Sequence, residues 1–145
     1  MSKITPFLWF DRNLEDVVAF YQSVFADVRV QHLDQMTASF SIEGQDFMAL
    51  NGGPQFKFNE ATSFFIRCET QDEVDGYWRK LTADGGSEGR CGWLKDKFGL
   101  SWQVVPDALG KYLGDKDRAK AGRVMQAMMK MNKIDIAALE AACIG

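Results

Sequence analysis

The sequence predicts an α+β fold of two tandem βαβββ units followed by a helical extension. Three observations carry this. Shifted by 57 positions, residues 6–21 fall on residues 63–78 without a gap. In both copies three short apolar stretches follow. Beyond Pro106 the strand-like pattern stops and apolar residues recur at helical spacing. One domain thus divides into a first unit over 3–51, a second over 61–106 and a tail over 107–145.

Each element has a local reason. Residues 4–10 and 63–68 are short, aromatic and β-branched, which suits strands. Phe7 falls on Phe64, Leu8 on Phe65 and Trp9 on Ile66. Asn13 and Thr70 stand where helix caps belong, and Glu15-Asp16 and Asp72-Glu73 follow in the first turn, where the helix dipole favours acids. Leu14, Val17, Val18, Tyr21 and Phe25 form one helical face; Val74, Tyr77, Trp78 and Leu81 form the other. Strands are expected over 28–33, 37–42 and 46–50, the last two joined through Glu43-Gly44 as a hairpin. Gly85-Gly86 stops the second helix. Strands over 88–91, 93–95 and 100–105 complete the second copy. Asn51-Gly52-Gly53-Pro54 begins the connector.

In the tail, Lys116-Asp117-Arg118 reads as solvated. Val124, Ala127, Met128 and Met131 repeat at helical spacing, and Ile134, Ile136, Leu139 and Cys143 suggest a last short helix. Two readings stand: a brace packed on the sheet, or a dimer contact. The methionines suit either.

Apolar residues are 46% and charged residues 26% of the 145, a globular balance. A net charge of -3 argues against a nucleic-acid partner. No apolar run is long enough for a membrane helix, and the N-terminus lacks the apolar run of a secretory signal. Cys68, Cys91 and Cys143 are odd in number and widely spaced, which implies neither a disulfide framework nor a CxxC site and points to a reducing cytoplasm.

Four stretches carry a resemblance: Asn51-Gly52-Gly53-Pro54; Cys68-Glu69-Thr70; residues 91–103, reading Cys-Gly-Trp-Leu-Lys-Asp-Lys-Phe-Gly-Leu-Ser-Trp-Gln; and residues 133–139. With the paired βαβββ pattern, the chain resembles the PhnB-like branch of the vicinal oxygen chelate (glyoxalase-like) superfamily, often labelled 3-demethylubiquinone-9 3-methyltransferase. The resemblance covers nearly the whole chain, and the tryptophan-rich hairpin is its most specific part. It implies a homodimer and a U-shaped mixed sheet around a cavity. In metal-dependent members, the first and last strands of each half each supply a ligand, His, Glu or Gln in most.

Residue by residue, that metal pattern is not kept. The four positions fall on Pro6, Met48 (Ala49 with a slip of one residue), Ser63 and Gln103. Only Gln103 can ligate, and one neutral amide does not hold a cation in water. His32, the single histidine, lies in another strand. The expectation is no metal and no cofactor, which removes the Lewis acid that glyoxalase and dioxygenase chemistry needs. No Gly-rich segment follows a strand and opens a helix, so the methyltransferase label finds no nucleotide-type site.

Strand alternation then sorts the cavity lining. Leu8 and Phe10 go with Pro6; Phe65 and Arg67 with Ser63; Ser101 and Val105 with Gln103. Asn51 joins at the strand end if the slip allows. Arg67 either grips a carboxylate or phosphate through its planar fork or pairs with Glu69 or another acidic neighbour. Trp93 could stack on a ligand, while Trp102, out of phase with Gln103, packs under the helices. Lys95 and Asp96 read as a solvated turn pair. Cys91 is a thiol with no histidine to activate it. Phe56 and Phe58 either plug the pocket or serve as core for the connector.

Three functions fit these residues. The first is a metal-free pocket protein that binds or sequesters a small, partly apolar or anionic molecule. The second is an enzyme using Arg67, Gln103 and Asp96 for polarisation and proton transfer. The third is a structural dimer with a filled cavity.

Overall fold

A computed structural model describes residues 2–145. They form two compact units, one ending at Phe58 and the other spanning Asn59–Gly145. In the first, β1 (Phe7–Phe10) leads through α1 (Leu14–Val24) to β2 (Val28–Leu33), β3 (Thr37–Ile42) and β4 (Gln45–Asn51). In the second, β5 (Ser63–Cys68) leads through α2 (Gln71–Thr82) to β6 (Ser87–Glu88), β7 (Trp93–Lys95) and β8 (Ser101–Pro106). Each unit holds a four-stranded mixed sheet, ordered β1-β4-β3-β2 in one and β5-β8-β7-β6 in the other. The first and last strands of each unit run parallel. The paired βαβββ reading therefore holds, as do both helix caps: Asn13 accepts from the Glu15 N–H and Thr70 from the Glu73 N–H.

Each helix covers one face of its own sheet. Leu14, Val17, Val18 and Tyr21 of α1 are buried, as are Leu8 and Phe10 of β1 and Phe40, Phe47 and Ala49 of the neighbouring strands. In the second unit Val74, Trp78 and Leu81 are buried with Cys68, Leu94, Trp102 and Val104. The β3–β4 hairpin turns through Glu43 and Gly44, both at positive φ (48° and 85°), the pair of conformations a two-residue hairpin of matching twist demands.

Two differences from the expected elements have clear causes. The strand expected over 88–91 is cut to Ser87–Glu88. Cys91 and Gly92 turn at positive φ, and their N–H groups donate to the Met131 and Asn132 carbonyls of the tail instead of a neighbouring strand. The tail also has a helix that no periodicity announced, α3 (Asp107–Leu113), before α4 (Arg118–Met128) and α5 (Ile136–Ile144). Leu109, Val124, Ile134 and Leu139 form its core, with Val105 at the end of β8 packed against them. The Gln71 amide clamps the tail to α2: Nε2 donates to the Ile134 carbonyl and Oε1 accepts from the Ile136 N–H. Lys133 pairs with Asp75 at 2.8 Å, and the Asp75 carboxyl is lowered by that ammonium first. Within the second unit the tail is thus a brace.

Candidate functional site: the open sheet faces

Side chains alternate across a strand, so covering one face with a helix leaves the other open. In the second unit the open face follows from the register. Ser63 pairs with Ser101, Phe65 with Gln103 and Arg67 with Val105. Across the antiparallel hairpin Gln103 pairs with Trp93, and Ser101 with Lys95. The structure thus brings together six residues expected or weighed there, Ser63, Phe65, Arg67, Ser101, Gln103 and Trp93, and adds Lys95. Phe65 is 58% exposed, an aromatic ring at the surface among polar groups. Gln103 Nε2 donates to Ser63 Oγ at 3.0 Å, which fixes the amide.

The first unit corrects the expected lining. Leu8 and Phe10 are buried, and the alternate residue Phe7 is 52% exposed. Phe7 pairs with Met48, itself 43% exposed, and Trp9 pairs with Leu50. Asn51 pairs with Phe10, in phase with buried Ala49 and Phe47, and so belongs to the helix-covered side. The cause is one extra residue in the strand-to-helix turn. Asp11 and Arg12 separate Phe10 from its cap Asn13, while Glu69 alone separates Cys68 from Thr70. The helices match at 57 positions but the strands at 58, which puts Thr5, not Pro6, opposite Ser63. The open face of the first sheet therefore carries Phe7, Trp9 and Met48. Trp9 Nε1 donates to the Gly53 carbonyl, and Phe56 meets the Trp9 ring edge-on at 4.9 Å. Phe58 meets Phe10 in the same way at 5.2 Å. These phenylalanines tie the connector to the first unit.

Arg67 takes the second of its two readings, with Asp107 and not Glu69 as its partner. Its Nε and a terminal nitrogen donate to both Asp107 oxygens at 3.0 and 3.1 Å. The pair raises the guanidinium pKa and lowers that of the Asp107 carboxyl. The fork that would hold an anion is filled from within the chain.

Lys95 and Asp96 are not a solvated pair. Asp96 is 1% exposed. Its carboxylate accepts from the Phe98 and Leu100 N–H groups and from Trp102 Nε1. Lys95 instead meets Glu60 at 2.9 Å and holds that carboxyl below its ordinary pKa. The motif Asp-Lys-Phe-Gly-Leu-Ser-Trp thus closes its turn on a buried acid, a role its turn-like composition masked. Trp102 packs on the helix side, as its phase requires.

His32 contacts Asp34 at 2.7 Å and Thr37 at 3.1 Å on the exposed β2–β3 turn. Cys91 Sγ lies 3.6 Å from the Met128 carbonyl oxygen.

A groove of about 240 Å³ opens on the second unit. Glu60, Ser87, Trp93, Lys95 and Ser101 contribute to its lining. Ser101 is 1% exposed, and its Oγ alone among the described buried side-chain oxygens and nitrogens lacks a hydrogen-bond partner.

The metal positions, with the strand phase corrected, are Thr5, Met48, Ser63 and Gln103. A hydroxyl, a thioether, a second hydroxyl and an amide do not fit a divalent cation, which takes carboxylate or imidazole ligands. Among the described residues no group of three or more His, Cys, Asp and Glu side chains is placed to hold one.

Paired βαβββ units with these open faces define a protein of the vicinal oxygen chelate superfamily. Residues 2–105 match the family described as 3-demethylubiquinone-9 3-methyltransferase, and the chain belongs to that family, in the PhnB-like branch. It is similar to a PhnB protein from Bacillus cereus described as a putative 3-demethylubiquinone-9 3-methyltransferase, at 29% identity and a TM-score of 0.66, over 72% of this chain and 99% of that one. Protein PA1353 from Pseudomonas aeruginosa shares the fold at 17% identity and a TM-score of 0.59, over 73% of this chain and 98% of that one. The fosfomycin resistance protein FosX from Listeria monocytogenes, solved with Mn(II) and sulfate ion, does so at 15% identity and 0.58, over 78% and 96%. No curated protein matches. No helix of the described residues is long and apolar enough to cross a membrane.

Proposed function

We propose that the chain is a metal-free small-molecule-binding protein whose second open face receives an organic ligand with an apolar body and polar edge. The observation that carries this reading is Phe65. A ring 58% exposed beside Gln103 and Ser63 gives up the stabilisation that burial would bring, and a ligand restores it. Such a mix of one aromatic surface and a few fixed polar groups suits a small-molecule site. Arg67 is engaged by Asp107 and Asp96 by three N–H donors. That engagement favours binding over acid–base catalysis by those two residues. The family resemblance extends the reading to a homodimer, and the three free cysteines to the cytoplasm.

The test is a thermal-shift screen of neutral and anionic metabolites on the wild type and on Phe65→Ala, run in parallel with EDTA and with added divalent metal. Compounds that raise the wild-type Tm and lose that effect in Phe65→Ala support the reading. A panel whose hits all require added divalent metal contradicts it.

A further inference from the structure

We propose that the groove beside Trp93 is a subsite for a small neutral polyol of monosaccharide size. The proposal rests on the second open face being a ligand-binding surface and names the chemistry it takes.

The groove's polar inventory carries the inference. A buried hydroxyl without a partner costs stability, yet Ser101 Oγ is held so at the groove. Among the described residues, neither the Trp93 indole N–H nor the Ser87 hydroxyl has a hydrogen-bond partner. Three neighbouring groups therefore have unused hydrogen-bonding capacity, and two of them can both donate and accept. Hydroxyls on a ligand do the same, which is the complement a polyol offers.

Charge narrows the class. Lys95 and Glu60 neutralise each other at 2.9 Å, so the pair presents a donor and an acceptor without net charge. Glu88, at the same edge, adds a carboxylate that already accepts from Trp78 Nε1. That negative charge disfavours an anion, and a simple cation offers no acceptor for the Trp93 indole N–H. Size narrows it further. At about 240 Å³ the groove falls below the roughly 300–1,000 Å³ of sites for drug-sized ligands, which leaves room for one small ring. Trp93 gives that ring an apolar wall with a polar tip.

The experiment is an NMR titration of the full chain with D-glucose, D-ribose and myo-inositol, with acetate and inorganic phosphate as anionic probes. It follows the Trp93 indole N–H signal together with the Gln103 side chain. Ser101→Ala is the informative variant, because removing an unpaired buried hydroxyl leaves the fold intact or more stable. The expected result is a saturable shift of the Trp93 signal by at least one polyol. Affinity should fall about tenfold in Ser101→Ala, the loss of roughly one hydrogen bond, while its Tm holds or rises. Three results overturn the proposal: no saturable Trp93 shift with any polyol, stronger shifts with acetate or phosphate, or an unchanged affinity in Ser101→Ala. Shifts at Gln103 without Trp93 also overturn it, but leave the broader ligand-binding reading standing.

Discussion

The Trp102 indole donates to the buried Asp96 carboxylate at 2.9 Å, and the same carboxylate accepts from the Phe98 and Leu100 N–H groups. One acid thereby closes the β7–β8 turn and anchors the central strand that carries Ser101 and Gln103. Asp96→Ala leaves three donors unpaired in an interior site. Hydrogen bonds to a charged group contribute roughly 1.5–3 kcal/mol each, though their losses within one network do not add. The expected destabilisation is about 3–5 kcal/mol by urea unfolding, with Asp96→Asn retaining part of it. A loss below about 1 kcal/mol would show that the turn does not depend on the acid.

The tail clamp makes a second prediction. Gln71→Ala removes a donor to Ile134 and an acceptor for Ile136, and leaves both backbone groups part-buried. The expected cost is about 1–3 kcal/mol, with amide exchange accelerating first at Ile136. Unaltered exchange there would mean that the apolar contacts of Ile134 and Leu139 hold the tail without the amide.

Cys68 sets an alkaline limit. Burial first, then the Glu73 and Asp107 carboxylates, push its thiol up from 9.0 to about 12. A folded pKa above the unfolded one contributes stability that is complete below pH 9 and lost as pH rises toward 12. Stability should decline over that window, less steeply in Cys68→Ala. With a thiol reagent at pH 8, Cys91 and Cys143 should react first and Cys68 only after unfolding.

At the acid end Asp34 works the other way. The Thr37 and Met36 N–H groups, then His32, lower its carboxyl from 3.8 to about 2. A depressed pKa contributes stability above the unfolded value and loses it as pH falls through the folded one. The β2–β3 turn should therefore loosen between about pH 4 and pH 2. Carbon-detected NMR should show the Asp34 carboxyl titrating near 2, and Asp34→Asn should remove that part of the acid sensitivity.

How far the residues alone reveal this protein depends on which signal each feature leaves. The helices and caps were legible because Asn13 and Thr70, with acidic pairs after them, are local chemistry. The open face of the second sheet was legible because Ser63, Phe65, Gln103 and Trp93 alternate in a phase that Cys68 and Trp102 confirm. The first sheet was misread because its β1–α1 turn holds one residue more, and a single step inverts every side chain of a strand. Phe10 corresponds to Cys68, not Arg67. Asp96 was misjudged because the acceptor role that buries it depends on Trp102, six residues on. Asp107 could not be named as the partner of Arg67 because α3, which presents it, carries no clear periodicity.

Native mass spectrometry of the protein purified from its own source, before and after EDTA, tests metal-free ligand binding most directly. The account predicts a bound organic mass that survives EDTA and disappears in Phe65→Ala. A stoichiometric divalent ion, or an organic mass retained equally by Phe65→Ala, would contradict it.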